Sequence, residues 1–428
     1  DWRLQEGIEL RDYQREVVET TLAAERGIVA AGTGAGKTII GAALIARLGV
    51  PTIWITTTRV LLRQTVQALR LALGYEPGVC GDGQWSPADI TVALVQAVER
   101  RPGAFPPGRF PLLIFDEGHH AAARTFCSVC LDLEPRRSYY LTAVPYRESD
   151  DQVVLDALTG GVVASVPSVD LIEKGWLCPL QVEFTPLRID GDMTEQPHGT
   201  LYRRFIVEND ERNVMAVAIA EQRAQAGESV LVLVAHLDHG RRLCELFDQP
   251  VGFAHGQLGR RTLADVVETF AARRQRILVA TVGLFAEGVN IVGTSCIVYA
   301  AGGRSRTRIL QAVGRGMRLA PGKTECLYHD FFDRDRLGRF LAHSRRRREV
   351  LDEAGFAVPP DPTMVDPVPD ELGVAAAWTP RPGGGGFLKV TAEGEIVDEL
   401  RCLEQPQRVP KHFCRLCPDR SCPLREVP

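Results

Sequence analysis

The apolar run Ile28-Val-Ala-Ala31 breaks into Gly-Thr-Gly-Ala-Gly, continues as Lys37-Thr38 and enters a helical pattern from Ile39 to Leu48. A buried strand, a glycine-rich turn and a helix in that order point to a parallel α/β sheet with an anion site where strand meets helix. Gly32, Gly34 and Gly36 let the backbone bend so that its N–H groups point inward. The new helix offers its positive end to the same anion. Lys37 is placed to reach the β- and γ-phosphates of a nucleotide, and the Thr38 hydroxyl to ligate Mg²⁺. Ala31 stands where the strict pattern has glycine.

Such a loop serves many activities, so the rest of the chain must narrow the choice. Its 428 residues suggest two or three domains, and 45% hydrophobic with 24% charged residues is ordinary for a soluble globular protein. No apolar run is long enough to span a bilayer, and no secretory signal opens the chain. The first residue is Asp1 rather than methionine, which leaves room for sequence upstream. A net charge of −4 does not advertise nucleic-acid binding, although arginines cluster at 260–261, 273–274, 304–308 and 345–348. The run Arg345–Arg348 reads as a solvated helix face ahead of a DNA clamp. Eleven cysteines in a chain this long do not suggest a secreted disulfide scaffold, and a reducing cytoplasm is expected.

Apolar strand-like runs alternate with helical patterns twice along the chain. The expected organisation is a first α/β unit over 1–188, a polar linker over 189–200 and a second unit over 201–357. A Pro/Gly-rich connector over 358–386 and a cysteine-rich appendage over 387–428 follow.

In the first unit, Leu112-Leu-Ile-Phe-Asp-Glu-Gly-His119 ends a buried strand in two acids at the sheet edge where α/β ligands bind. Asp116 can hold Mg²⁺, Glu117 can polarise the attacking water, and His119 can link the nucleotide to neighbouring segments. Alone, the acid pair would equally suit a helix start. Leu141-Thr-Ala-Val-Pro145 exits at the same edge, where Thr142 and Ala143 can couple phosphate state to the second unit. Gln14, in Leu10-Arg-Asp-Tyr-Gln14, can read adenine because its amide both donates and accepts; a solvated helix start is the plainer alternative.

In the second unit, Gln311-Ala-Val-Gly-Arg-Gly-Met-Arg318 sets Arg315 and Arg318 on one helix face, suited to a γ-phosphate between two domains. Ala280-Thr-Val-Gly-Leu-Phe-Ala-Glu-Gly-Val-Asn290 is a strand exit from which Thr281 can bind a nucleic-acid phosphate, while Gly288 and Asn290 can approach the nucleotide.

In this order the segments resemble the motifs of superfamily 2 helicases and translocases of the DExH type, over roughly residues 8–350. Gln14 resembles the adenine-reading motif. Ala31–Thr38 resembles motif I, with Thr33 and Ala35 among its nucleotide contacts, and Thr56–Arg59 motif Ia. Asp116–His119 resembles motif II, Leu141–Pro145 motif III, with Val144 where threonine is usual, and Val232–His236 motif IV. Thr281–Asn290 resembles motif V and Gln311–Arg318 motif VI, in which Gln311 would couple. The resemblance implies two RecA-like domains with parallel sheets and ATP and Mg²⁺ in the cleft between them. It implies a grip on the nucleic-acid backbone, for which Thr57, Arg59, Gln96, His255 and Thr281 are the candidates.

Three further segments resemble DNA-directed relatives, namely restriction-enzyme motors, excision-repair helicases and phage branch-migration helicases. They are His120-Ala-Ala-Ala, Lys174-Gly-Trp-Leu-Cys-Pro179 and Gly314–Lys323. The expected activity is therefore an ATP-dependent DNA helicase or double-strand translocase. It would act as a monomer on duplex or branched DNA in the cytoplasm, associated with the nucleoid, with a nuclease or a repair or recombination protein as partner. An RNA helicase and an ATP-switched clamp that does not travel remain the alternatives.

Cys402, Cys414, Cys417 and Cys422 form C-x11-C-x2-C-x4-C. Four thiolates suit either a structural zinc or an iron–sulfur cluster, and two of them precede proline as cluster ligands sometimes do. Free thiols in a loose tail are the alternative. Cys127-Ser-Val-Cys130 reads as packing.

Overall fold

The computed structural model describes residues 2–116, 123–143, 159–189, 191, 196–286, 289, 291–335 and 337–362, with the backbone of three strands between 377 and 401. The first sheet has eight strands: β1 (Arg26–Ala31), β2 (Thr52–Thr56), β3 (Gly78–Gly81), β4 (Gln84–Ser86), β5 (Ile90–Leu94), β6 (Leu112–Asp116), β7 (Arg137–Thr142) and β8 (Val162–Val166). Their order is β4-β3-β5-β2-β6-β7-β1-β8, and every pairing is parallel except the β3–β4 hairpin. All residues of β2, β5 and β6 are buried, as continuous apolar strands covered on both faces must be. Helix Lys37–Leu48 starts at Gly36 and stops at Gly49, both with positive φ. Gly41 lets that helix approach the sheet, because a Cβ there would stand 2.3 Å from the Trp54 ring.

The second sheet is wholly parallel, with strands β9 (Leu180–Ile189), β10 (Val230–Val234), β11 (Gly252–Ala254), β12 (Ile277–Thr281), β13 (Cys296–Tyr299) and β14 (Cys326–Asp335). Its order is β11-β12-β10-β13-β14-β9. Strand β9, placed in the first unit, pairs with β14 from Leu180↔Cys326 to Ile189↔Asp335. The chain therefore crosses between units before Leu180, not over 189–200. The crossing carries no polar run: it passes through Trp176-Leu177-Cys178-Pro179, of which Leu177 and Cys178 are 3% and 1% exposed. Helix His198–Tyr202 and the wide turn Arg203–Val207 pack with Leu187, Ile189 and Phe340 into a small core of the second unit.

The arginine run 345–348 also differs from expectation. Arg347 is buried and ion-paired to Asp330, Arg345 pairs with Asp361, Arg346 with Glu353, and Arg348 donates to the Pro359 carbonyl. It is neither a solvated face nor a free clamp. Beyond it, the strands Ala377–Pro380, Gly386–Val390 and Ile396–Arg401 form an antiparallel sheet. The first of these lies inside the stretch read as a connector. Cys402, Cys414, Cys417 and Cys422 lie outside the described residues. Cys130 packs against the core beside Cys127, and burial pushes its thiol up to about 12, as expected of a packing residue. Among the described residues, no helix is long and apolar enough to cross a membrane.

Candidate nucleotide site between the two units

Because the strands of the first sheet run parallel, β1, β6 and β7 deliver their exits to one edge. Ala30 is opposite Thr142, and Asp116 opposite Leu141, so the glycine loop, Asp116 and Thr142 share that edge. Asp116 and Thr142 are both buried. The loop turns at Gly34 (φ +94°) and Gly36 (φ +77°), and the Gly36 carbonyl takes the first amides of the new helix. Lys37 Nζ lies back over the loop, 3.4 Å from the Ala31 carbonyl. Oxygen donors from Thr38 and Asp116 match what Mg²⁺ takes, so the residues present fit that ion.

Gln14 lies in the first turn of helix Asp12–Leu22 and is 4% exposed. Its Nε2 donates to the Ala35 carbonyl at 3.0 Å, and its Oε1 accepts from the Arg11 amide at 3.0 Å. The Tyr13 hydroxyl donates to the same Ala35 carbonyl at 3.0 Å. The amide expected at adenine thus holds the glycine loop itself. Tyr13 was not foreseen, since a tyrosine beside Gln14 reads equally well as core.

Helix Arg306–Gly316 of the second unit packs directly on this loop. A Cβ on Gly314 would stand 2.3 Å from the Thr33 Cβ. A Cβ on Gly34 would stand 2.9 Å from Leu177 Cδ2 and 4.0 Å from Arg318 Cγ. Arg318 is half-buried, and burial holds its guanidinium below the usual arginine range. Arg315 Nη1 donates to the Val289 carbonyl, between Gly288 and Asn290. Gln311 is buried on the same helix. The crossing segment threads between these parts: the Cys178 amide donates to the Met317 carbonyl at 2.9 Å, and the Arg11 guanidinium lies over Trp176 at 4.0 Å. The contacts of Leu177 and Cys178 were not foreseen either, because close approach and backbone hydrogen bonds leave no mark in residue type.

Glu117, His119, Gly288 and Asn290 lie outside the described residues. The nucleic-acid candidates fall into two groups. Thr57, Arg59 and Gln96 line one cleft of about 530 Å³ together with Trp85, Arg100 and Arg101. Gln96 Nε2 lies 3.4 Å from the Thr57 carbonyl, and Arg59 is 3.6 Å from Asp82. His255 follows β11 and Thr281 ends β12, and these strands are neighbours.

Two family descriptions match the chain: "Type III restriction enzyme, res subunit" over residues 7–147 and "Helicase conserved C-terminal domain" over 213–320. Among curated proteins it is similar to a putative DNA 3'-5' helicase Rad25 of Halobacterium salinarum, 27% identical over 334 residues, covering 75% of this chain and 54% of that protein. It is 25% identical over 354 residues to the DNA 3'-5' translocase XPB2 of Sulfurisphaera tokodaii, covering 74% of this chain and 80% of that one. The chain thus spans about half the length of the first relative and four-fifths of the second. In fold it resembles a fragment of a putative HsdR subunit of a type I restriction enzyme from Vibrio vulnificus YJ016, with a TM-score of 0.58 at 18% identity over 75% of this chain and 64% of that one. Two tandem sheets, parallel but for the β3–β4 hairpin, a helix of the second unit laid on the glycine loop of the first, and the family matches over 7–147 and 213–320 agree: the chain belongs to the superfamily 2 helicases.

Proposed function

We propose that this chain hydrolyses ATP between its two units and uses the cycle to move along or remodel DNA. The observation that carries the reading is the packing of Gly314 and Arg318 on Thr33 and Gly34, which brings the segment bearing Arg315 and Arg318 against the glycine loop of the other unit. In this reading Lys37 and the loop amides of Gly32–Gly36 hold the phosphates. Gln14 keeps the loop in shape, and Gly288 and Asn290 complete the nucleotide site. Bound Mg²⁺, held by Thr38 and Asp116, supplies charge neutralisation at the phosphates. Glu117 orients water, Arg315 and Arg318 stabilise charge on the transferring group, and His119, Thr142 and Gln311 link the site to the nucleic acid.

DNA is favoured over RNA by the names of the relatives, which are DNA helicases and a DNA translocase. Thr57, Arg59, Gln96, His255 and Thr281 would grip the backbone, on duplex or branched DNA, in the cytoplasm. An ATPase panel with duplex DNA, single strands and RNA tests this. Stimulation by DNA supports the reading, and stimulation by RNA alone overturns it in favour of an RNA helicase. Failure of both strand displacement and triplex displacement would leave a stationary clamp.

For the tail, Cys402, Cys414, Cys417 and Cys422 are proposed to hold one metal centre, an iron–sulfur cluster ahead of zinc. Protein purified without oxygen should carry iron with labile sulfide, or one zinc, and lose it in Cys417→Ser. Metal-free protein with an ordered tail would remove the idea.

A further inference from the structure

The loop Ala300–Ser305 joins β13 to helix Arg306–Gly316 and so sets where that helix begins. It turns through Gly302 (φ +59°) and Gly303 (φ +76°). Three side chains from three different helices donate to its carbonyls. Arg212 Nη1 reaches Ala300 at 2.7 Å, the Tyr202 hydroxyl reaches Ala301, and Arg347 Nη1 reaches Gly303 at 2.8 Å. Both arginines are fully buried, and β14 supplies their counter-charges. Arg212 Nε is 3.0 Å from Asp333, and Arg347 Nε is 2.8 Å from Asp330. Arg347 also donates to the Phe331 carbonyl at 2.7 Å and lies 3.5 Å from Asp333, while the Tyr328 hydroxyl donates to Asp330 at 3.1 Å.

Two buried ion pairs are a costly way to fill a core, since apolar side chains of similar volume often do as well. What apolar side chains cannot do is donate in fixed directions to three carbonyls of one loop. Both arginines are themselves fixed: Arg347 is braced on three acceptors besides Gly303, and the Arg212 guanidinium lies over the Phe331 ring at 4.6 Å. Helix Arg306–Gly316 is then anchored at its start by this clamp and at its end by the amide of Cys178 on Met317.

We propose that Tyr202, Arg212 and Arg347 are positioning residues for phosphate chemistry, holding the carbonyls of Ala300, Ala301 and Gly303 so that the helix delivers Arg315 and Arg318 to the phosphate loop. The proposal rests on the ATPase reading above. Displacement of a reacting group by a fraction of an ångström changes kcat with little effect on substrate affinity.

Tyr202→Phe removes one hydroxyl and keeps the ring, and Arg347→Lys keeps the charge but not the fork. In single-turnover measurements Tyr202→Phe should lower the rate of hydrolysis roughly 10-fold, with ATP affinity changed by less than about 2-fold. Arg347→Lys should lower it further. In an Arg315→Ala/Arg318→Ala background, Tyr202→Phe should cost almost nothing more, because the groups it aims are gone. A full further loss in that background, or no loss in the wild type, overturns the proposal. Amide exchange across 300–316 gives a readout independent of activity: Tyr202→Phe should speed exchange there and leave β10 and β12 protected. Unchanged exchange also overturns it. Wild-type protein without ATPase but with faster exchange in the variant would keep the clamp and sink the ATPase reading instead.

Discussion

Gly314 and Thr33 meet across the two units so closely that a Cβ on the glycine would stand 2.3 Å from the Thr33 Cβ. Gly314 lies inside helix Arg306–Gly316, where alanine would be the better helix former by about 1 kcal/mol. Gly314→Ala therefore opposes two effects. Local helix stability rises, while the methyl group wedges the helix off the loop. We expect a melting temperature that holds or rises together with ATP turnover reduced roughly 10-fold or more. Thermal melts and steady-state ATPase on one preparation check it. Unchanged turnover would mean that the two units separate before hydrolysis.

Where the fragment is cut decides a second test. Residues 1–179 keep the whole first sheet and end before β9, so they should fold and bind nucleotide. Lacking Arg315 and Arg318, they should hydrolyse ATP at least about 10³-fold more slowly than the full chain. Lys37→Ala in the full chain should abolish hydrolysis outright. Full activity from the fragment would place all the chemistry in the first unit.

His239 is fully buried, with Nε2 2.8 Å from Asn213 Oδ1. Desolvation, with Arg212 nearby, lowers its pKa to about 3, and burial beside His198 lowers that of His343 to about 4. The fold holds both rings neutral, whereas the unfolded chain protonates them below about pH 6.5. Their contribution is thus whole above that pH and drains as pH falls. For His239 the loss reaches about 1.4 kcal/mol near pH 5.5. Chemical denaturation at about pH 7.5 and 5.5 should show a smaller fall for His239→Gln than for wild type. Equal falls would mean that the ring is not held neutral.

Arg59 is 72% exposed and only loosely engaged by Asp82, which Arg63 also holds. If it contacts one phosphate, Arg59→Gln should weaken binding evenly across unrelated duplexes and reduce the slope of log affinity against log salt by about 0.9. Salt titrations by anisotropy read both quantities. An unchanged slope would remove Arg59 from the interface.

Legibility followed burial. Thr52–Thr56, Ile90–Leu94 and Val230–Val234 are short apolar runs that are buried throughout, as covered parallel strands are, so local pattern marks them. Strand β14 shows that pattern only over Cys326–Tyr328, since Asp330, Asp333, Arg334 and Asp335 resemble a loop. Two of those acids are buried only because Arg212 and Arg347 come from distant helices to pair with them. Strand β9 was placed in the wrong unit because sheet membership is a long-range fact that local pattern does not carry. At the site, Lys37, Arg315 and Arg318 were legible through spacing. Leu177, Cys178 and Tyr202 act through close approach and backbone carbonyls, which any of several residue types could supply.

The pairing of β9 with β14 also orders events during synthesis. Leu180–Ile189 leaves the ribosome directly behind the first unit, but among the described residues its sheet neighbour is the last strand of the second. Until Cys326–Asp335 has been made, a ten-residue strand waits with an open edge, exposed to wrong partners. Closing the second sheet therefore requires the docking of Cys326–Asp335 onto Leu180–Ile189, and a nascent chain stopped short of Cys326 keeps that edge open.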